Sequence, residues 1–285
     1  MARGSRLCAG ASITAALLIP LALPGTAPAV PPTAPAPATA PAVTAPALPA
    51  LVRSDGTPKI PAADGPSARA LAEEARRNLL RARSVHLKFT DHRASADRTA
   101  PASLELTLDR SGNCVGKLVM GADGGSVALV KRGDQVWMKP DTAFWKAQLP
   151  GSRGDTVAAR LKNRYLHGST KDTVLRAMSG TCDLTAFQKE AAAESSPHTT
   201  LTKGEETKVD GTKVIPLTGT EHSGKKITLY VTSAGPHRLV RATRQGPGTD
   251  QDLTFTGYDE PVPSATPAPA QSVDISELQR ELEHT

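Results

Sequence analysis

Apolar and polar residues along the chain follow two different periods, and the switches between them outline the fold. From Ser67 to about Arg83 the period is helical. Leu71, Ala75, Leu79 and Ala82 share one stripe, with Glu73, Glu74, Arg76 and Arg77 on the other side and Ser67 placed as N-cap. The period then becomes two. Val85, Leu87 and Phe89 alternate with polar residues, as do Leu104, Leu106 and Leu108, and the pattern continues through Val115 to Met120, Val127 to Lys131 and Val136 to Lys139. Helical spacing returns in Thr142 to Leu149, Asp155 to Leu166, Thr173 to Met178 and Asp183 to Ala192. Five more strands are predicted at Thr199–Lys208, Lys213–Thr220, Lys225–Val231, His237–Thr243 and Asp252–Gly257, separated by turns such as Asp210-Gly211 and Gly246-Pro247-Gly248. Strands apolar on one side and polar on the other belong to an antiparallel sheet with one wet face. The fold class is therefore α+β: about ten strands in one large curled antiparallel sheet, a half-barrel, with an N-terminal helix and a mid-chain helical insertion in its concave face.

The ends of the chain read differently. Arg3 and Arg6 precede the apolar stretch Ile13 to Leu23, and Ala27-Pro28-Ala29 offers small residues for cleavage, so residues 1–29 are expected to be an export signal. Residues 30–66 are expected to form a Pro- and Ala-rich disordered spacer. Thr26 to Ala50 alone holds ten Ala and eight Pro in 25 residues. Such a tract reads equally as a spacer holding a domain away from a membrane or as a passive tail. The folded domain is placed at 67–263, followed by a Pro-rich tail, 264–285, that ends in a short amphipathic helix. The whole chain of 285 residues carries 34 Lys+Arg against 28 Asp+Glu, a net charge of +6 with no run of like charge, which gives no sign of a nucleic-acid arm. Loss of the signal would remove two arginines and no acid, leaving 6 − 2 = +4.

Of three cysteines, Cys8 precedes the apolar stretch and is not in a lipid-attachment context. Cys114 and Cys182 remain, an even number in an oxidising compartment, and are expected to form a disulfide between the first meander and the helical insertion. Catalytic patterns are absent or fail on context. Gly219 to Lys226 (GTEHSGKK) approaches a phosphate-binding loop, but Lys226 stands where the hydroxyl should be and a strand follows instead of a helix. Glu221, His222 and Ser223 are neighbours in one turn and point different ways, so they are not read as a triad. Neither a metal site nor a cofactor is expected, and no catalytic residue is assigned. Trp137, Phe144 and Trp145 read as core at a sheet–helix junction.

Several phrases carry a family likeness: SVHLKFT from Ser84, DRSGNCVG from Asp109, VALVKRGDQVWMKPD from Val127, FWK from Phe144 and FTGYDEPVP from Phe255. Together they resemble the LppX/LprG group of actinobacterial envelope lipoproteins, whose fold is like that of the LolA lipoprotein carrier. The likeness spans about Ser67 to Ile275, without the lipobox cysteine of that group. It implies a half-barrel closed by helices, with a cavity for acyl chains. The expected function is that of an exported, extracytoplasmic envelope protein binding or carrying a lipid or another hydrophobic small molecule without catalysis. Inward residues Leu106, Leu129, Val136, Met138, Leu161, Leu229 and Val231 are the expected pocket walls. The alternative is an interaction or sensor domain of the same fold that acts through an envelope protein partner. Neither reading involves nucleic acid, and any membrane contact is peripheral.

Overall fold

The computed structural model describes residues 65–93, 101–149, 151–193, 200–221 and 223–283. The export signal expected at 1–29 and nearly all of the spacer expected at 30–66 lie outside the described residues. What is described from Ser67 onward belongs to one unit.

Helix α1 (Ala68–Arg81) starts where its cap predicts, with the Ala70 amide donating to Ser67 Oγ at 3.2 Å. It buries Leu71, Ala75 and Leu79. A meander follows: β1 (Ser84–Asp91), β2 (Pro101–Asp109), β3 (Cys114–Met120), β4 (Ser126–Arg132) and β5 (Gln135–Pro140). The insertion holds α2 (Thr142–Gln148), α3 (Ser152–Arg160), a strand β6 (Tyr165–Ser169), α4 (Thr173–Ser179), a single 3-10 turn at Gly180–Cys182, and α5 (Leu184–Ala193). The second meander comprises β7 (Leu201–Lys203), β8 (Thr207–Val209), β9 (Thr212–Thr220), β10 (Lys226–Thr232), β11 (Leu239–Gly246) and β12 (Thr249–Thr256). The chain then adds β13 (Ser272–Asp274) and α6 (Ile275–Glu283).

The thirteen strands among the described residues join one open, curled sheet in the order β13-β6-β5-β4-β3-β2-β1-β12-β11-β10-β9-β7, with β8 also on β9. Each pairing is antiparallel except β13 on β6. At mid-sheet Gly116 lets β3 lie close on β2. A Cβ there would come within 2.0 Å of the Glu105 carbonyl oxygen and 2.8 Å of Leu106 Cα.

Among the described residues, three strands exceed the expected ten. The helix expected to run to Leu166 stops at Arg160, because Asn163 takes a left-handed conformation (φ 61°) and turns the chain into β6. The single strand expected over Thr199–Lys208 is split into β7 and β8, with the Gly204 amide between them donating to the Pro216 carbonyl at 2.8 Å. The third is β13.

The folded unit also continues past Pro263, where the sequence reading ended it. The connection from β12 to β13 must pass the intervening strands, and the Arg132 guanidinium donates to the carbonyls of Pro263, Ser264 and Ala265 along the way. Arg164 then donates to the Ser272 carbonyl at 3.0 Å. Val273, Ile275 and Leu278 enter the main core. The Pro-rich segment expected to follow the domain is held on it by side-chain donors that satisfy its carbonyls, and it ends in the expected short helix, α6.

Candidate functional site

The strand register builds a continuous apolar face. One row runs Phe255–Leu87–Leu106–Gly116–Leu129–Met138–Leu166–Val273 across eight strands. A second runs Pro140–Val127–Leu118–Leu104–Phe89–Leu253–Ala242–Leu229–Leu217 across nine. Helices cover this face. Phe144 and Trp145 of α2, Val157 and Ala158 of α3, Leu175 of α4 and Leu184 of α5 join the same hydrophobic cluster as the rows. Below α1, Leu71 and Ala75 form a smaller cluster with Leu217 and Val231.

Five of the seven expected wall residues, Leu106, Leu129, Val136, Met138 and Leu161, meet in the main cluster. Val231 lies apart under α1, and half-buried Leu229 touches both groups. All but Leu229 are at most 1% exposed, so they form a packed floor. Side chains that border the cluster and keep some surface are Phe89, Leu149, Met178, Phe187, Leu229 and Leu239. Phe187 of α5 also meets Phe255 of β12, with ring centroids 6.1 Å apart. Apart from Leu229, none of these border residues is among the expected pocket walls. Strand parity tells inward from outward, but not which inward residues the helices leave uncovered.

Beside the second apolar row the same face turns polar. Asp91, Gln251, Arg244 and Ile227 are register partners, each two residues on from Phe89, Leu253, Ala242 and Leu229. Arg244 Nη2 donates to Glu221 Oε2 at 2.8 Å, and the two residues are 4% and 3% exposed. Ser223 Oγ donates to the same carboxylate oxygen at 2.9 Å, so these two neighbours in the turn do converge, contrary to expectation. His222 lies outside the described residues. Such a pair is held by mutual neutralisation, because either charge alone would be strongly disfavoured in this interior. The phosphate-loop lookalike joins β9 to β10 as an antiparallel hairpin, with no helix after it.

The expected disulfide is present: Cys114, the first residue of β3, is bonded to Cys182, with Cα atoms 5.5 Å apart. It ties the sheet to the turn between α4 and α5. Burial pushes the Tyr258 phenol well above its ordinary pKa, and its hydroxyl donates to the Leu239 carbonyl at 2.7 Å. Among the described residues no group of three or more His, Cys, Asp or Glu side chains is placed to hold a metal ion. Among them, too, no helix is long and apolar enough to cross a membrane.

No family model matches the chain, and no curated protein does. Solved structures do show a similarity. LprF from Mycobacterium bovis aligns with a TM-score of 0.48 and 16% identity, over 70% of this chain and 97% of that one. The lipoprotein LppX of Mycobacterium tuberculosis aligns at 0.43 and 16%, over 70% and 98%. A LolA-superfamily protein from Nitrosomonas europaea aligns at 0.20 and 11%, over 70% and 96%. The likeness read from the sequence phrases thus recurs among the structural neighbours. At these scores it says nothing about a ligand.

Proposed function

We propose that the protein is an exported, non-enzymatic envelope protein that binds a lipid or another hydrophobic ligand between its curled sheet and the helices covering it. The observation behind this reading is the pair of apolar rows running unbroken across eight and nine strands, bordered by large side chains, Phe89, Met178 and Phe187 among them, that keep some surface. Each methylene withdrawn from water contributes about 0.8 kcal/mol, so ten of them supply ~8 kcal/mol before association costs are subtracted. No reactive group is needed for that. The buried Cys114–Cys182 disulfide supports an extracytoplasmic location, since such bonds persist in oxidising compartments.

The packed state of the floor favours a second reading: an interaction or sensor domain with a filled interior, acting through an envelope protein partner. A titration separates the two. An acyl-chain probe whose fluorescence rises in apolar surroundings is added to the full chain, followed by an unlabelled fatty acid as competitor. Binding by the border residues gives a saturable signal that the competitor removes and that F187D or L229D weakens at least tenfold, with the circular dichroism spectrum unchanged. A signal that never saturates, or that both variants leave intact, rejects the carrier reading.

A further inference from the structure

A second concavity lies at the β5 end of the second apolar row, beside Pro140. Lys117, Ala128 and Lys139 are register partners on β3, β4 and β5, and they alternate with the inward residues Leu118, Leu129 and Met138. They therefore belong to the opposite face of the sheet. With the start of β4, the β5–α2 junction and the end of α3 they enclose a pocket of about 320 Å³. Lys162 and Asn163 complete its wall, set there by the left-handed turn at Asn163 that ends α3.

The lysines of this pocket have no ion-pair partner among the described residues. Lys139 Nζ sits 4.9 Å from the centre of the Tyr165 ring, against a ring face and not a carboxylate. Among the described residues the side chains of Lys117 and Lys162 make no ion pair and no hydrogen bond. Asp141, the acid in the wall, is occupied: its carboxylate accepts from the Ser126 amide and hydroxyl, both at 2.9 Å, and from the Phe144 amide at 2.8 Å. Glu105, the register partner of Lys117 on β2, lies 3.4 Å from His86 Nε2, and Asp155 pairs with Lys146 Nζ at 2.9 Å. Three ammonium groups against one carboxylate leave 3 − 1 = +2 in the wall.

We propose that this pocket binds a phosphate monoester, a compact dianion that matches this excess of charge, with room left for the organic group attached to it. Its lysines do not come from the apolar face, although Pro140 of the second apolar row and Ala158 of α3 also line it, and the proposal does not rest on the acyl-binding reading. Its ligand is a phosphomonoester headgroup on a lipid or a free small phosphate. Ammonium groups from three separate elements surround it, and Asn163 adds a neutral donor.

The test titrates the full chain with glycerol 3-phosphate while backbone amide shifts are followed by NMR. Flotation with phosphatidylcholine vesicles, with and without phosphatidic acid, runs in parallel. The expected result is a saturable shift confined to Ser126–Ala128, Lys139–Thr142 and Lys162–Asn163, weakened about tenfold or more in K117Q/K162Q and unchanged in K208Q on β8. Because Lys117 and Lys162 are exposed, the double variant keeps the fold. If flotation with phosphatidic acid drops in the same variant, the source is a lipid headgroup; if only the soluble ligand responds, it is a free phosphate. Absence of a saturable response to either probe, or equal binding by wild type and K117Q/K162Q, overturns the site.

Discussion

Replacing both Cys114 and Cys182 by alanine removes the bond that ties β3 to the turn between α4 and α5 while leaving no free thiol. The bonded residues are 68 apart in sequence, and both are fully buried. For a closed loop of that length the chain-entropy model gives about −15 cal/mol/K, or about 4 kcal/mol at 25 °C, removed from the unfolded state. The unit spans Ser67 to Thr285, on the order of 200 residues, so its melting entropy is about 0.4 kcal/mol/K and the expected loss is roughly 10 °C in Tm. Differential scanning calorimetry of wild type and C114A/C182A reads the shift directly. Slow reaction of the folded wild type with a reductant is expected as well, because the sulfurs are reached only by opening the core. A shift below about 3 °C, or fast reduction of the folded protein, would refute the reasoning, because the bond would then close no costly loop.

Three further outcomes follow from the packing. In G116A the added Cβ would meet the backbone of β2, 2.0 Å from the Glu105 carbonyl oxygen, so about 1–3 kcal/mol is lost in urea denaturation; a change below ~0.5 kcal/mol would mean that the strands do not approach so closely. E221A removes the buried carboxylate that Arg244 Nη2 bonds and is expected to cost about 3–5 kcal/mol, more than the paired swap E221L/R244M; equal costs would show that the charges are not coupled. Hydrogen bonds from the Ser276 side chain and amide hold the Asp274 carboxyl below its ordinary pKa. A depressed pKa contributes stability above the ordinary aspartate value of about 4 and loses it as pH falls through that value and below. Amide exchange in α6 should therefore rise relative to β4 on acidification, and D274N should abolish this pH dependence.

Much of this architecture was legible from residue patterns because local signals agreed. Ser67 and the stripe Leu71–Ala75–Leu79 placed α1, and the alternations around Leu87, Leu106 and Leu129 placed the first meander on its inward side. An even pair of cysteines sufficed for the disulfide. What escaped depends on contacts distant in sequence. Tyr165 to Ser169 is too short to show its own period and becomes a strand only by pairing with β5. Ser272 to Asp274 becomes one only on the edge of β6. The same division applies to the sites. Inward parity at Leu106 or Met138 was readable, whereas the choice between packed floor and open border is made by the covering helices. Lys117, Lys139 and Lys162 form a basic pocket only once two strands and a helix end are brought together.

The most direct measurement of the central claim is native mass spectrometry of the protein purified from its own host, followed by solvent extraction and lipid analysis. The expected result is a population heavier than the bare chain by the mass of a lipid, released intact on extraction and reduced in F187D. A single bare mass together with an empty extract would contradict the claim that this apolar face holds a hydrophobic guest.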